Sequence, residues 1–490
     1  MMLAACACSM AGAVPPPAPY GAIPSKRQLA RERMDLTAFL HFNMNTFTDK
    51  EWGYGDENPI LFHPTAFNPD QIVSTLKRAG FKGVILTCKH HDGFCLWPTK
   101  ATDHSVTHSS WMNGKGNVVK AISDACHRFH MKFGVYLSPW DRNNAAYGTP
   151  AYLPIYREQL RELLTEFGPI FEVWFDGANG GDGYYGGARE TRQIDRTTYY
   201  HWPGTWQMVR RLQPGAAIFS DVGPDLRWVG NESGYAATTC WQTYDPVGPN
   251  GGPAAPGDSQ YQTAGVGTEN GEHWMPAECD VSIRPGWFYH ADQDGSVKSP
   301  QDLMNLYFES VGRGALLLLN VPPDRQGQLA APDVMAVTQF GKNLRKLFKV
   351  NLAASARLHA SNVRGGDSAA YGPDNLVARQ GRSYWATDDG IAQASLTVDF
   401  GRSVAVDVIR LREAISLGQR IRGFAIDVWE NSAWHEVATG ASIGNCRLVR
   451  LGTPTVTSRL RLRITKSDAC IALAQFGVYA GAGLGTGVKP

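Results

Sequence analysis

The stretch VWFDGANGG, Val173 to Gly181, indicates how the chain is expected to fold. A mostly apolar strand, predicted over residues 171–175, runs directly into Asp176, and small, flexible residues follow. In a parallel β/α barrel the reacting groups stand at the carboxyl ends of the strands, beneath the loops. The stretch therefore predicts a barrel strand that ends in a functional carboxylate. The alternative is an aspartate that only caps the next segment.

Apolar strands alternate with helical segments up to about residue 348. The predicted strands are 38–42, 83–88, 133–137, 171–175, 216–220 and 315–321, and the predicted helices are 69–79, 118–130, 151–167 and 300–311. This alternation predicts an α/β fold, an irregular TIM-like (β/α) barrel. A doubly wound parallel sheet is the alternative, but no Gly-x-Gly-x-x-Gly motif follows the first strand.

After Val350 the pattern changes to short β-like runs separated by turns. The runs are 394–400, 406–411, 423–429, 447–451, 460–464 and 474–479. Their spacing predicts an all-β sandwich or jelly roll. The expected division is a leader or disordered tail at 1–22, the barrel at 23–348, a linker at 349–355, the sandwich at 356–481 and a flexible tail at 482–490.

Charge and composition exclude some partners and leave others open. The 47 basic and 45 acidic residues give a net charge of +2, so no nucleic-acid partner is expected. No apolar run approaches the roughly 20 residues of a membrane helix. The apolar start, MMLAACACSMAGAV, predicts export, whether periplasmic, lipid-anchored or secreted. Nine cysteines at irregular spacing give no disulfide framework, although Cys446 and Cys470 could pair. The sequence predicts no oligomeric state.

Polar residues occur at five predicted strand ends, a pattern that a core does not require. They are His41, His90 with His91, Tyr136, Asp176 and Asp221. Three chemistries fit such a rim: a zinc hydrolase that uses the histidines, a glycosidase that uses two carboxylates, and a lectin without catalysis. Adjacent histidines on a strand point to opposite faces, which disfavours zinc unless the strand has already ended. In the glycosidase Asp176 is the nucleophile, and Glu232 or Glu278 is the acid.

Seven motifs in order give the chain a resemblance to glycoside hydrolase family 29, the α-L-fucosidases. They are HFN at His41, EWGYG at Glu51, KHHDGF at Lys89, GVYLSPW at Gly134, VWFDGA at Val173, RWVGNESG at Arg227 and SIRPGWFYH at Ser282. The resemblance covers about residues 30–345. It implies an irregular barrel, a retaining double-displacement mechanism, fucosylated oligosaccharides or glycoconjugates as substrates, and no metal or cofactor.

The same resemblance assigns roles to residues. Asp176 matches the nucleophile, and the residues that match the fucose pocket are His41, Glu51, Trp52, His90, His91 and Tyr136. Trp287 is expected against the C6 methyl side of fucose. The GNESG loop is similar to that of the subgroup that cleaves α-1,3 and α-1,4 fucose from Lewis-type glycans, which makes Glu232 the acid/base. Activity that extends to α-1,2 or aryl fucosides is the alternative.

Two residues, one next to the SIRPGWFYH motif and one inside it, are expected close to the site. Glu278 is expected in the pocket or just behind it, with a role as the acid or in the fold as alternatives. Arg284 is expected either to form an ion pair with a carboxylate or to pack.

The tail, about 353–480, resembles a discoidin-like, galactose-binding-type sandwich. The resemblance rests on AYGPDNLVARQGRSYWATDDG from Ala370 and LTVDFGRSVAVDVIRLRE from Leu396. Relatives often carry Asp-Gly-Asp where this chain has Ala-Arg-Gln-Gly, residues 378–381, which weakens a calcium or sugar site there. A structural role, or one near the active-site rim, is therefore favoured over independent glycan binding.

Overall fold

The computed structural model describes residues 14–378 and 383–481. The predicted tail at 482–490, most of the predicted leader and part of the 378–381 loop lie outside the described residues.

Eight parallel strands close into a barrel, as the alternation predicted. Going around the barrel, each strand is hydrogen-bonded to the next in the order β1-β2-β3-β4-β7-β8-β9-β10. Their bounds are β1 Leu36–Leu40, β2 Gly83–Lys89, β3 Lys132–Leu137, β4 Ile170–Trp174, β7 Ala217–Ser220, β8 Leu226–Trp228, β9 Ala277–Ser282 and β10 Leu316–Asn320. Two further strands, β5 Gly181–Gly183 and β6 Glu190–Arg192, pair antiparallel outside the barrel.

Helices cover the barrel. They are α1 Lys26–Glu32, α2 Met44–Thr48, α3 Pro69–Ala79, α4 Val118–Arg128, α5 Tyr152–Glu166, α6 Trp202–Leu212, α7 Pro300–Glu309 and α8 Ala331–Leu347. The apolar positions of α3 recur at helical spacing and are buried, while Asn68 caps its start and Gly80 ends it in a left-handed conformation. The predicted strands and helices are present, within a few residues of the expected bounds.

The barrel is irregular because β7, β8 and β9 follow one another without an α-helix in the fully described stretch between them. Both β8 and β9 escaped prediction. β8 has only three residues, and β9, AECDVS, carries Glu278 and Asp280 inside an otherwise apolar run. Glu278 is tolerated there because Arg31 of α1 forms an ion pair with it in the barrel interior, which compensates a buried charge.

The carboxyl-terminal domain is an all-β sandwich. Its strands are β11 Arg357–Ala360, β12 Trp385–Ala386, β13 Ala394–Glu413, β14 Ile421–Glu430, β15 Ala433–Gly440, β16 Arg447–Ser467 and β17 Ala472–Tyr479, and a short helix, α9 Ser368–Tyr371, precedes β12. Two pairs of predicted runs are single long strands, β13 and β16. The ladder between them continues through register shifts, so the turn-like residues 400–403 do not end β13.

The sandwich packs against the amino-terminal side of the barrel. Arg412 of β13 forms an ion pair with Asp35, the residue before β1, at 2.6 Å. Asn445 donates to the carbonyl of Glu32 at 2.9 Å. The pocket described below lies at the opposite, carboxyl ends of the strands.

Residues 14–20, within the predicted leader, lie against the sandwich. Arg364 donates to the carbonyl of Pro15 at 2.7 Å, and Arg420 donates to the carbonyl of Ala18 at 3.1 Å. The Tyr20 N–H donates to the carbonyl of Leu417 at 2.9 Å. This part of the amino-terminal region is therefore bound to the folded protein.

The suggested pairing of Cys446 with Cys470 is wrong. Both are free and buried, as are the other cysteines of the described residues: Cys88, Cys95, Cys126, Cys240 and Cys279. Cys470 instead accepts a hydrogen bond from Arg420 at 3.5 Å. Within the described ranges no helix is both long and apolar enough to cross a bilayer.

Candidate active site

A cavity of about 270 Å³ opens at the carboxyl ends of the barrel strands. That volume is at the small end of ligand sites and suits one sugar ring better than an oligosaccharide. Its lining residues are Phe39, His41, Trp52, His90, His91, Tyr136, Trp174, Asp176, Gly177, Ala178, Asp221, Trp228, Glu232, Tyr261, Asp280 and Trp287. The structure therefore brings together eight of the predicted site residues and leaves out Glu51, Glu278 and Arg284.

Asp176 lies two residues beyond the end of β4, with both carboxylate oxygens held. The Tyr136 hydroxyl donates to Oδ2 at 2.8 Å, and the Ala178 N–H donates to Oδ1 at 2.7 Å. Burial raises the pKa of Asp176 above its ordinary value, and these two hydrogen bonds oppose the rise. The Asp176 side chain is 23% exposed to solvent. It is thus a rigid carboxylate that a ligand can reach.

The position after Asp176 requires glycine for a steric reason. A Cβ on Gly177 would lie 2.1 Å from Oδ2 of Asp221, inside the contact distance of any carbon and oxygen. The turn that supplies the Ala178 N–H to Asp176 can therefore pass over the β7 end only without a side chain.

Two histidines are arranged to present an unprotonated Nε2. Asn320 Oδ1 accepts from both the N–H and Nδ1 of His41, at 3.1 and 2.9 Å. Ser138 donates its hydroxyl to the Trp140 carbonyl, so it accepts from Nδ1 of His91 at 2.8 Å. Burial lowers the pKa of His41 and of His91 to about 3. Both rings are neutral, and each Nε2 is an acceptor suited to a hydroxyl.

His90 and His91 both line the pocket although they are adjacent in sequence. β2 ends at Lys89, so the alternation of a strand no longer applies to them. Their ring centroids are 4.0 Å apart, and burial also lowers the pKa of His90. In the described part of the chain no group of three or more His, Cys, Asp or Glu is arranged to hold a metal ion.

Tryptophans form the walls and rim of the pocket. Trp52 is 53% exposed at the rim, with its ring edge-on to His91 at 5.1 Å. Trp287 tilts over His41 at 5.0 Å, and Trp174 stacks on Phe219 at 4.2 Å. Indole faces of this kind suit the apolar faces of a sugar.

Glu51 lies behind the pocket wall instead of in it. Its carboxylate accepts the N–H groups of Trp287 and Phe288, at 2.7 and 3.2 Å, and contacts Nε2 of His290 at 2.7 Å. A Cβ on Gly286 would lie 2.4 Å from Oε1 of Glu51, so the SIRPGWFYH motif fits closely around it. These contacts hold the backbone of Trp287 and Phe288.

Glu232 stands on an exposed loop after β8, at the mouth of the pocket. Its Oε2 accepts from Nε1 of Trp287 at 3.2 Å. Partial loss of hydration raises the pKa of Glu232, the negative charges of Asp176 and Glu51 add to the rise, and the Trp287 hydrogen bond opposes it. A carboxyl that keeps its proton to higher pH is suited to act as an acid.

Glu278 and Arg284 do not line the cavity, and Glu278 lies just behind it. Glu278 is fully buried, pairs with Arg31 and accepts from Nε1 of Trp174 at 3.0 Å. Arg284 is buried and donates to Asp333 at 2.6 Å. Of the two outcomes expected for Arg284, the ion pair is the correct one. Glu278 supports the barrel beneath the site, and Arg284 supports the segment that follows β9.

Sequence reasoning missed pocket residues on the β7 to β9 side. Trp228 and Asp280 lie on the two strands that escaped prediction, with Nε1 of Trp228 donating to Asp280 at 2.7 Å. Tyr261 comes from the loop 245–267, which has no periodicity to reveal it. Asp221 was recognised as a strand end without a role. Recognition of β8 and β9 as strands would have located Trp228 and Asp280.

Comparison with family models divides the chain in two. Residues 23–347 match the α-L-fucosidase family, and residues 357–475 match the F5/8 type C domain.

Relatives and solved structures extend over nearly the whole chain. "Alpha-L-fucosidase 1" of Arabidopsis thaliana is 40% identical over 468 residues, covering 95% of this chain and 89% of its own. The structure of a glycoside hydrolase 29 family member from an unknown rumen bacterium has a TM-score of 0.83 at 39% identity, covering 96% of this chain and 79% of its own. The structure of a Ruminococcus gnavus GH29 fucosidase in complex with fucose has a TM-score of 0.84 at 32% identity, with 96% and 97% covered.

Proposed function

The chain belongs to the α-L-fucosidase family of glycoside hydrolases, and we propose that it releases terminal α-1,3- or α-1,4-linked L-fucose from branched, Lewis-type glycans with retention. The observation that carries the proposal is Asp176, a carboxylate with both oxygens held at the base of a pocket the size of one sugar ring. The similar Ruminococcus gnavus fucosidase was solved with fucose bound, and we place fucose in the corresponding pocket here.

In the first step Asp176 attacks the anomeric carbon of fucose. The bond to the leaving sugar's oxygen breaks, and Glu232 gives that oxygen a proton. The product is an ester between fucose and Asp176. The raised pKa of Glu232 supports this role because the acid must enter the step protonated.

In the second step water attacks the same carbon on the side that the leaving sugar vacated. Glu232, now ionised, takes the proton of that water, and the ester bond to Asp176 breaks. Two inversions restore the starting configuration. Release of the ester also returns Glu232 to its protonated form for the next cycle.

The binding of fucose in this proposal is divided between two kinds of group. Nε2 of His41 and of His91 accepts sugar hydroxyls, and the indoles of Trp52 and Trp287 cover apolar faces of the ring. The neutral state of both histidines supports this assignment, since an imidazolium would have no acceptor. We place Trp287 beside the C6 methyl group, and its position on the pocket wall supports this placement.

The α-1,3/1,4 preference rests on the GNESG loop. That loop places Glu232 at the mouth of the pocket, where the bond to a leaving sugar would lie. The competing proposal is a broad fucosidase that also accepts α-1,2 and aryl fucosides. Fucose release from Lewis a and Lewis x trisaccharides, compared with 2′-fucosyllactose and an aryl fucoside, separates the two.

Preference for the trisaccharides supports the subgroup and Glu232 as its acid. Faster cleavage of the α-1,2 and aryl substrates keeps the fucosidase but reopens the choice of acid. Absence of release from all four substrates would contradict hydrolysis and favour a fucose-binding lectin. The configuration of the first-formed fucose, read by NMR, tests retention directly.

We propose a structural role for the sandwich and export for the chain. The sandwich contacts the barrel at the opposite end from the pocket, and no residue of its described part lines the cavity. Because residues 14–20 contact the sandwich, we place any cleavage of a leader before Val14, whose carbonyl accepts from Tyr371 at 3.1 Å. Amino-terminal sequencing of the exported protein tests this point.

A further inference from the structure

We infer that Asp221, a pocket carboxylate without a part in the proposed mechanism, is a positioning residue that locks the loop 245–267 onto the turn that aims Asp176. The inference rests on the proposed function, because it presumes that Asp176 is the nucleophile. It concerns how the nucleophile is held, a matter on which the family assignment says nothing.

Asp221 holds the loop 245–267 at two points through one oxygen. It follows β7 directly and is only 7% exposed. Its Oδ2 accepts the Gly257 N–H at 2.7 Å and the Tyr261 hydroxyl at 2.9 Å. Both donors belong to the loop 245–267, which forms only single 3₁₀ turns and depends on such contacts for its position.

The same carboxylate lies against the turn after the nucleophile. A Cβ on Gly177 would lie 2.1 Å from Oδ2 of Asp221. A Cβ on Gly257 would likewise lie 2.1 Å from the carbonyl oxygen of Gly177. Gly257 has φ +82°, a conformation that favours glycine. The turn, the loop and Asp221 thus meet without space for any side chain.

Further hydrogen bonds join the loop and the turn. Asn179 donates to the carbonyl of Pro256 at 3.3 Å. Arg196 donates to the carbonyls of Gly257 and Asn179, at 2.5 and 3.1 Å. These bonds use backbone carbonyls, whereas Asp221 supplies the acceptor for the loop's N–H and hydroxyl. An ionised carboxylate accepts both donors more strongly than a neutral group would.

Two features of the pocket depend on this junction. The Ala178 N–H reaches Asp176 only if the turn keeps its shape. Tyr261 packs edge-on against Trp228 at 5.1 Å, and both rings line the cavity. Loosening of Asp221 would therefore displace the nucleophile and one pocket wall while leaving the histidine side in place.

Asp221→Asn is the first test, because the side chain keeps its size while one of its oxygens becomes an NH₂ group. We expect kcat/KM for an aryl fucoside to fall about 10- to 100-fold, since small misplacements of reacting groups are costly. The inhibition constant of free L-fucose should stay unchanged, because the histidine side still binds it. Tyr261→Phe removes one donor and should lower kcat/KM about 2- to 10-fold, again without change in fucose binding.

Tyr244→Phe is the matched control. The Tyr244 hydroxyl donates to the carbonyl of Gln260 at 3.5 Å. Gln260 lies in the loop 245–267 but has no hydrogen bond to Asp221. The Tyr244→Phe variant should keep wild-type kinetics. The inference is overturned if Asp221→Asn and Tyr261→Phe behave like this control, or if fucose inhibition weakens in step with kcat/KM.

Circular dichroism and the melting temperature check that each variant folds. If the Asp221→Asn variant does not fold, the comparison of Tyr261→Phe with Tyr244→Phe tests the inference by itself. Failure of the proposed function has a different signature, which is an Asp176→Asn variant that remains active.

Discussion

The β1 to β3 side of the pocket differs from the β7 to β9 side in the origin of its side chains. His41, His90, His91 and Tyr136 stand on or within two residues of a strand end. The other side also has residues on or next to strands, namely Asp221, Trp228 and Asp280. Its Glu232 and Tyr261, however, come from long connections that reach the pocket through hydrogen bonds. The strand side is thus fixed by the barrel, while the loop side depends on tertiary contacts.

This difference suggests a division of labour. A side held by barrel strands is suited to bind the same sugar in the same position each time. A side formed by loops can vary with the leaving group, and it carries the proposed acid. Asp176 lies between the two sides, with one oxygen held from β3 by Tyr136 and the other by its own turn.

The largest effect is expected from Asp176→Asn, which tests the point where the two sides meet. The amide cannot form the ester, so kcat should fall by about 10³-fold or more, as for removal of other nucleophiles. The melting temperature should stay close to that of the wild type, because the amide keeps the size of the side chain. Steady-state kinetics and calorimetry measure the two quantities, and near-wild-type turnover would falsify the nucleophile assignment.

Glu232→Gln tests the loop side. Loss of a general acid should lower kcat/KM on a Lewis trisaccharide by about 10²- to 10⁴-fold. An aryl fucoside with an acidic phenol needs little proton transfer, so kcat/KM for its cleavage should fall much less. Equal losses on both substrates would show that Glu232 is not the acid.

Glu51→Gln tests how a group behind the wall acts through Trp287. The amide can accept fewer of the N–H groups that now hold Trp287 and Phe288, so KM should rise about 10-fold with a smaller change in kcat. Asp49→Asn is the matched control, since Asp49 contacts His290 at 2.9 Å but not Trp287. If the two variants have the same KM, the contact with Trp287 does not position substrate.

The smallest effect is expected in the dependence of kcat/KM on pH. Asp176 must be ionised, so kcat/KM should fall as the pH drops through its pKa, which burial raises. Glu232 must be protonated, so kcat/KM should fall as the pH rises through its own pKa, which is also raised. Glu232→Gln should lose the alkaline limb and keep the acid limb. A profile of kcat/KM that keeps both limbs in this variant would assign the alkaline limb to another group.

The accuracy of sequence prediction followed the same division. The strand ends were located because apolar runs that stop at polar residues are a local pattern, visible at His41, His90 and Asp176. The missed strand β9 is the informative failure, and Glu278 is its cause. Its charge hid β9, and its ion pair with Arg31, 247 residues away in sequence, is a tertiary contact that no local pattern reveals. Trp228 and Asp280 were missed with the strands that carry them.

Local sequence patterns were sufficient to predict the barrel, the sandwich and the family. Strand periodicity, helix caps and ordered motifs are short-range features, so the amino-acid sequence alone reveals them. The contacts of Glu51 with the wall, the ion pairs of Glu278 and Arg284, and the position of Asp221 between a loop and the nucleophile turn became visible in the folded molecule. The physical reason is that a carboxylate's role depends on which donors surround it, and here those donors come from segments distant in sequence.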